Sequence, residues 1–338
     1  MGVDNNLKRS EIFKRYSHQW ELLKQNNLLI GIPQKYVGNY ICPICLGHFS
    51  PGDLDQKNRS NPLTLEHTPP ENVGGKANIL TCRSCNNAAG TQLENHLKIR
   101  LDEMANKRFL PNVETPVKIK KDTETYQGIM TVDENGSMSI THTISKNHPV
   151  KLNDFIKSLD PDSKNPQIIL EFPDLNIDLD KVEYTILKAA YLLLFEKFGY
   201  IFILDPIYNK LREQILNPEK RIYPKGTWLQ PPLDENACGV YYTMNEGVES
   251  FLVIFVIKIK LLKRIIAVHL PMPFNSIDTF KSNLEFLKHN KYNPQGKELD
   301  NFPFPASIDF LTNEKCMKHL SKCISSKETY KDLPNFPL

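Results

Sequence analysis

Four cysteines in two Cys-x-x-Cys pairs are the residues of this chain whose types and spacing most directly indicate chemistry. Cys42 and Cys45 form the first pair, Cys82 and Cys85 form the second, and 36 residues lie between the pairs. Paired thiolates with two residues between them suit the tetrahedral coordination of a structural Zn²⁺ site. The spacing predicts one structural Zn²⁺ ion held by these four cysteines.

The segment between the cysteine pairs contains side chains that can move protons or bind cations. It holds Glu66-His67, the double glycine Gly74-Gly75 and Asn78, and Asn86 follows directly after the second pair. Histidine has a free pKa near neutrality, which suits a general base. This set of groups, in this order, predicts a reaction centre inside the zinc-bound segment.

The ordered set resembles the HNH endonuclease family, the ββα-metal nucleases, in the variety that carries a zinc-binding Cys-x-x-Cys pair on either side of a hairpin. The resemblance covers about residues 40–100 of the 338. It implies a metal-dependent hydrolysis of phosphodiester bonds, with DNA as the substrate.

The resemblance also implies a role for each residue of the segment. His67 would be the general base that takes a proton from the attacking water, and Glu66 would hold a catalytic Mg²⁺ or Mn²⁺ ion. Asn86 would supply a further ligand from the first turn of a helix, although the neighbouring Asn87 is an alternative for that position. Asn78 matches the middle asparagine of the family, which typically steadies the loop and the histidine ring.

The sequence departs from the family pattern at two positions. Glu66 stands where aspartate is commoner, and Ala89 stands where many relatives have a lysine before the glycine. Basic residues further along the same helix could make the missing phosphate contact or could form a solvated face. Glu94 is a candidate for an additional metal ligand.

The elements that must position these residues follow from hydrophobic periodicity and turn residues. Residues 63–67 and 78–81 read as short strands, with a turn at the double glycine, and a helix is expected from about 86 to 107. Elsewhere we expect helices at 7–29, 183–198 and from Asp205 to 216, a β-hairpin or meander at 117–144, and strands at 167–172 and within 237–270.

The predicted fold class is α+β, with an N-terminal zinc-bound ββα-metal module followed by a mixed α/β domain. Pro111 and Pro116 follow the module's helix and suggest a linker, so the predicted domains are 1–110, a nuclease module with its N-terminal helix, and 117–338, a recognition or regulatory domain. Residues 1–110 carry 14 Lys/Arg and 10 Asp/Glu, whereas the remainder carries 28 and 29. The excess of positive charge lies with the zinc motif.

The remaining sequence features limit the cellular location and the possible partners of the protein. The longest strongly apolar run, 251–257, is too short to cross a membrane, the N-terminus lacks the apolar core of a signal peptide, and the three cysteines outside the pairs do not form a disulfide framework. We expect a cytoplasmic protein that binds DNA, has no membrane partner, and carries a site for a protein partner or signal ligand in its C-terminal domain.

Two functional interpretations remain open at this point. Prokaryotic defence effectors with an HNH module and a sensing domain offer an analogy for the first, a nuclease. The alternative is a non-catalytic zinc-binding module that binds nucleic acid or protein. Glu66, His67 and Asn86 discriminate between them, since a pure binding module has no need of these residues.

Overall fold

The computed structural model describes residues 2–28, 39–121, 124–142, 146–158, 169–172, 175–245, 248–273, 276–289 and 309–325. These residues form a mixture of helix and sheet. The helices are α1 (Gly2–Gln25), α2 (Arg83–Ala89), α3 (Asn95–Asn106), α4 (Pro149–Ser158), α5 (Leu179–Phe198), α6 (Tyr200–Ile203), α7 (Asn209–Leu216), α8 (Ile277–His289) and α9 (Glu314–Ser325).

The strands form antiparallel ladders. They are β1 (Tyr40–Ile41), β2 (His48–Phe49), β3 (Leu63–Thr68), β4 (Lys76–Cys82), β5 (Glu114–Lys121), β6 (Glu124–Val132), β7 (Met138–His142), β8 (Ile169–Glu171), β9 (Trp228–Leu229), β10 (Gly239–Asn245), β11 (Val248–Ile259) and β12 (Leu262–Pro271). The strands predicted at 63–67 and 78–81 and the helix predicted at 183–198 are confirmed, each within a few residues of its bounds. The helix predicted at 7–29 is confirmed as α1, which begins at Gly2 and ends at Gln25, and residue 29 lies outside the described residues. Residues 167 and 168 of the predicted strand at 167–172 lie outside the described residues.

The chain divides into two compact units whose bounds differ from the predicted domains 1–110 and 117–338. The first unit comprises 1–97, 178–257 and 264–338, and the second comprises 98–177 and 258–263. Residues 178–257 therefore share a unit with the cysteine pairs instead of a separate domain. The linker proposed at Pro111 and Pro116 lies inside the second unit, where Pro116 belongs to β5.

The first unit is built around a hairpin, a long helix and a sheet. β3 pairs antiparallel with β4, and α2 begins directly where β4 ends. β10, β11, β12 and β9 form a sheet in that order. Most of α5 is buried, with a helix start at Asp178, whose side chain accepts hydrogen bonds from the backbone of Asp180 and Lys181.

Tyrosine hydroxyls join the first cysteine pair's strand to the rest of the first unit. The hydroxyl of Tyr200 accepts a hydrogen bond from the Ile41 backbone N–H at 2.9 Å and donates one to the Ile41 carbonyl at 3.1 Å. The Tyr40 hydroxyl does the same for Leu80, at 3.2 and 2.7 Å. Buried backbone polar groups need such partners, and a hydroxyl can donate and accept at once. A short strand such as β1 is thereby held without a long ladder.

The turn between β3 and β4 depends on the double glycine that the sequence indicates. Gly74 has a φ of 93°, which favours glycine. A Cβ atom on Gly75 would lie 1.4 Å from the carbonyl oxygen of Pro69. The two glycines therefore allow the chain to fold back closely and bring the end of β3 next to the start of β4.

The second unit has its own hydrophobic core. β7, β6, β5 and β8 form an antiparallel sheet in that order, and α4 covers one of its faces. Tyr126 of β6 stacks on Phe155 of α4 with ring centroids 4.3 Å apart. The predicted meander at 117–144 is confirmed by β5, β6 and β7, with the Asn135-Gly136 turn between the last two, whereas residues 122, 123, 143 and 144 lie outside the described residues.

Among the described residues, the helices are all too short or too polar to cross a lipid bilayer.

We predict that Tyr200→Phe destabilises the protein by about 1–3 kcal/mol, because two buried backbone groups of Ile41 lose their partner. Chemical denaturation of the full chain measures the difference. Tyr223→Phe is the matched control, since the Tyr223 hydroxyl is buried and has no hydrogen-bond partner. Equal effects of the two substitutions would contradict the structural role of Tyr200.

Candidate functional site

The four predicted zinc ligands converge at one point. Their Sγ atoms all lie within 4.8 Å of one another, and the Sγ atoms of Cys45 and Cys82 are 3.8 Å apart. A tetrahedral Zn²⁺ with Zn–S bonds of about 2.3 Å places its sulfur ligands about 3.8 Å apart. The tetrad of Cys42, Cys45, Cys82 and Cys85 thus has the dimensions of a four-thiolate zinc site.

Backbone geometry prepares the first cysteine pair for a cation. Leu46 adopts a φ of 57°, and the Gly47 N–H points at the Sγ of Cys45 at a distance of 3.4 Å. The N–H of Cys82 points likewise at the Sγ of Cys42, at 3.5 Å. Such donors stabilise thiolates, which are the form that binds metal.

The thiols of the first pair differ in their acidity. Burial raises the pKa of Cys42 well above its usual value. The hydrogen bond from Cys42 is the main cause that lowers the pKa of Cys45 to about 7. A bound cation would favour the thiolate form of both groups, so the ion and the deprotonation are coupled.

The hairpin and α2 together form a ββα arrangement that the side chain of Asn86 fastens. The Nδ2 atom of Asn86 donates hydrogen bonds to the Thr64 hydroxyl and to the Leu65 carbonyl, each at 3.0 Å. Asn87 is exposed. Of the two candidates for the third motif position, Asn86 is the one that faces the hairpin.

A β-bulge lies at the predicted general base. The register of the hairpin shifts between Glu66 and His67, which pair with Ile79 and Ala77, so that Asn78 is the extra residue of β4. Bulges re-aim side chains and are frequent next to active sites. Glu66 is buried here, whereas the side chain of the adjacent His67 remains 32% exposed.

An open depression of about 640 Å³ is lined by residues of the helical segment 90–95 and of the segment after β3. Its lining residues are Glu71, Asn72, Gly90, Thr91, Glu94 and Asn95. Glu71 also approaches the predicted base, with its Oε2 atom 3.9 Å from Nε2 of His67. The depression and His67 thus share Glu71 as a neighbour.

Glu66, the predicted ligand of a catalytic divalent ion, already has two polar partners. Its Oε1 atom lies 2.6 Å from Nζ of Lys188 in α5, and its Oε2 atom accepts a hydrogen bond of 2.8 Å from the Thr81 hydroxyl. Glu94 accepts a second hydrogen bond from the same ammonium at 2.5 Å. We refer to Glu66, Lys188 and Glu94 as the buried triad.

The triad is withdrawn from water. The side chains of Glu66 and Lys188 are 2% exposed and that of Glu94 is 16% exposed. Burial acts to lower the pKa of Lys188, but the two carboxylates hold it above its usual value. Burial also raises the pKa of Glu94, an effect that Lys188 opposes. Each charge is tolerated in the interior because the others compensate it.

A change of helical register brings Glu94 to this position. The helix predicted as continuous from 86 to 107 contains a π-helical turn at Gly90–Glu94, between α2 and α3. Such turns interrupt α-helices at functional sites. The turn ends at Glu94, which contacts α5 and also lines the depression.

The structure places Asn78 against α5. Its Nδ2 atom donates a hydrogen bond of 2.9 Å to Oε1 of Glu196. Burial raises the pKa of Glu196, and the Asn78 donor opposes that rise. Asn78 thus fastens the bulge of the hairpin to the helix behind it.

Comparisons with protein-family models, with curated proteins and with solved structures found no match for this chain.

Sequence reasoning missed Lys188 and Glu196, which lie on a helix more than a hundred residues beyond the hairpin. A signal for the lysine exists in the sequence. Lys188 is the lone charged residue within the otherwise apolar or uncharged run 184–195. A buried lysine needs a carboxylate partner, so this run indicates an internal ion pair without naming its other member.

We predict that Cys82→Ser removes the bound zinc and lowers the unfolding temperature, because three thiolates and a hydroxyl no longer form a closed site. Elemental analysis and thermal unfolding measure the two effects. Cys238→Ser is the control, since Cys238 is exposed and lies outside the tetrad. Wild-type protein without zinc, after purification without a chelator, would contradict the assignment.

Proposed function

We propose that this protein is a zinc-stabilised HNH-type endonuclease that hydrolyses phosphodiester bonds in DNA, with His67 as the general base. One observation carries the proposal. His67 lies near the end of β3, the first strand of a ββα arrangement that also carries the cysteine tetrad, and its partly exposed ring approaches Glu71, which lines an open depression.

The proposed reaction is a hydrolysis in which His67 accepts a proton from water. The water oxygen forms a bond to phosphorus, the bond between phosphorus and the leaving sugar oxygen breaks, and that oxygen takes a proton from solvent while His67 later returns its own proton to solvent. The Glu71 carboxylate lies 3.9 Å from Nε2, which is too long for a hydrogen bond. The His67 ring therefore makes no hydrogen bond to Glu71, and its Nε2 atom can accept a proton from a substrate water.

Zinc in this protein is structural under the proposal. A four-thiolate site leaves no coordination position for water or substrate, unlike catalytic zinc sites, which have three protein ligands. The ion would connect the β1–β2 turn to the end of β4 and the start of α2. It would thereby fix the hairpin that carries His67.

The residues do not fit the Mg²⁺ or Mn²⁺ ion that the resemblance implies. Both oxygens of Glu66, the predicted carboxylate ligand, already accept hydrogen bonds, from the Lys188 ammonium and from the Thr81 hydroxyl. The cysteine tetrad is the one group of three or more potential metal-binding His, Cys, Asp or Glu side chains among the described residues.

Recognition of the substrate or of a control signal is assigned to the second unit. Of the predicted 117–338 domain, residues 178–257 share a unit with the hairpin, whereas 98–177 form a compact unit with its own core. A separate core lets such a unit bind a partner through its own surface.

The non-catalytic zinc module remains the second candidate, and one observation favours it. Glu71 and Glu94 line the depression, with no lysine or arginine among the lining residues. Acidic groups repel a phosphodiester. The experiment that follows separates the two candidates.

We predict that His67→Ala lowers cleavage by at least about 100-fold, the usual contribution of a general base, and leaves zinc content and unfolding temperature unchanged. Single-turnover assays of the full chain on plasmid DNA, single-stranded DNA and RNA measure the effect, with and without added Mg²⁺ or Mn²⁺. His18→Ala is the control, since His18 is exposed on α1.

Two results would contradict the nuclease assignment. The first is a His67→Ala protein that cuts at the wild-type rate, which removes the general base. The second is a folded, zinc-loaded wild type that cuts none of these substrates but binds one of them, which supports the non-catalytic candidate.

A further inference from the structure

We infer that the ammonium of Lys188 is the resident cation of the site beside His67, and that it excludes a divalent ion from the pair of carboxylates formed by Glu66 and Glu94. This role rests on the proposed nuclease function of the site. Lys188 is then a positioning residue, which acts through the two glutamates.

Two acidic side chains from different elements converge on one position. Glu66 comes from β3 and Glu94 comes from the π-helical turn, and both point an oxygen at the same nitrogen atom, at 2.6 and 2.5 Å. Two carboxylates that share a buried position repel each other unless a cation lies between them. Either a metal ion or an ammonium can fill this role.

The Lys188 ammonium cannot easily move away from the two carboxylates. Its side chain is 2% exposed, and it projects from a helix that makes hydrogen bonds to both the first cysteine pair and the hairpin. Tyr191, three residues further along α5, donates a hydrogen bond of 2.6 Å to the Pro43 carbonyl in the first cysteine pair. Glu196 accepts the hydrogen bond from Asn78. The lysine is thus supported by contacts on the tetrad and on the hairpin.

Lys188 and a divalent ion cannot both occupy the position between Glu66 and Glu94. A dication bound to Glu66 and Glu94 would lie within a few ångströms of a buried ammonium, where like charges repel strongly. The remaining oxygen of Glu66 is also occupied, by the Thr81 hydroxyl. Binding of the ion would require a new position for Lys188 and for Thr81.

The ion pair also affects His67, the predicted base next to Glu66 in the chain. Glu66 precedes His67 at the bulge, so a fixed Glu66 carboxylate restrains the backbone that carries the histidine. The triad has a formal charge of −1, whereas the two glutamates without the lysine would have −2. Lys188 therefore reduces the repulsion between this site and an anionic substrate.

The test measures Mn²⁺ binding to the zinc-loaded full chain by the loss of the free-ion signal in electron paramagnetic resonance. Thiolate sites select zinc, whereas carboxylates suit Mn²⁺, so the probe reports on the glutamates. We expect the Mn²⁺ titration of the wild type to be unchanged by Glu66→Gln or Glu94→Gln. Wild-type Mn²⁺ binding that either substitution abolishes would overturn the inference.

Removal of the lysine should create the metal site that the wild type lacks. In Lys188→Met we expect Mn²⁺ to bind and to raise the unfolding temperature by about 5 °C at roughly a hundredfold excess over its Kd. Lys181→Met is the matched control, because Lys181 lies on the same helix and pairs with Glu219 at the surface. It should show no response, as should the wild type.

The wild-type titration keeps the test decisive if Lys188→Met fails to fold, because Mn²⁺ binding through Glu66 or Glu94 in the wild type overturns the inference by itself. The combination of Lys188→Met with Glu66→Gln and Glu94→Gln is a further control, since it leaves no carboxylate at this position for the ion. We expect it to bind no Mn²⁺. A folded Lys188→Met protein without any Mn²⁺ response would overturn the inference.

Cleavage by the same preparations separates this inference from the proposed function. A wild type that binds no Mn²⁺ through the glutamates and cuts no substrate contradicts the nuclease and leaves the role of Lys188 intact. A wild type whose cleavage requires Mn²⁺ bound by Glu66 supports the nuclease and contradicts the role of Lys188.

Discussion

The ion pairs of Lys188 with Glu66 and Glu94 join three parts of the chain that are distant in sequence. Charges so deeply buried persist only when each is compensated, and removal of one partner of such a pair costs about 3–5 kcal/mol. The hairpin, the π-helical turn and α5 must therefore keep a common geometry. The position of His67 follows from that geometry, because it adjoins Glu66 at the bulge.

The cysteine tetrad fixes the same region from the other side. It connects the β1–β2 turn with the end of β4 and the start of α2, but it does not supply a hydrophobic core. That core comes from α1, α5 and α6: Tyr16 stacks on Phe195, and Trp20 and Tyr40 pack against Tyr200. The segment that carries the cysteine tetrad and residues 178–203 thus share one interior, which is why they belong to one compact unit.

Local patterns account for much of what the sequence predicted correctly. The Cys-x-x-Cys pairs, the double glycine and the alternation at 63–67 each act within a few residues, so the sequence predicts the tetrad, the turn and the hairpin. The sequence does not predict the π-helical turn, because the apolar stripe Leu93, Leu97 and Leu101 is compatible with burial of either type of helix. The compact units divide the chain differently from the predicted domains, since a proline such as Pro116 can lie in a strand as well as in a linker.

The sequence by itself determined which residues can bind a metal and where the candidate base lies relative to them. Only the tertiary structure decided which partner each polar side chain has. Glu66 meets Lys188 instead of solvent, Asn78 meets Glu196, and Asn86 meets the backbone of β3. The physical reason is that thiol spacing is a property of one short segment, whereas compensation of a buried charge depends on whichever helix packs against it.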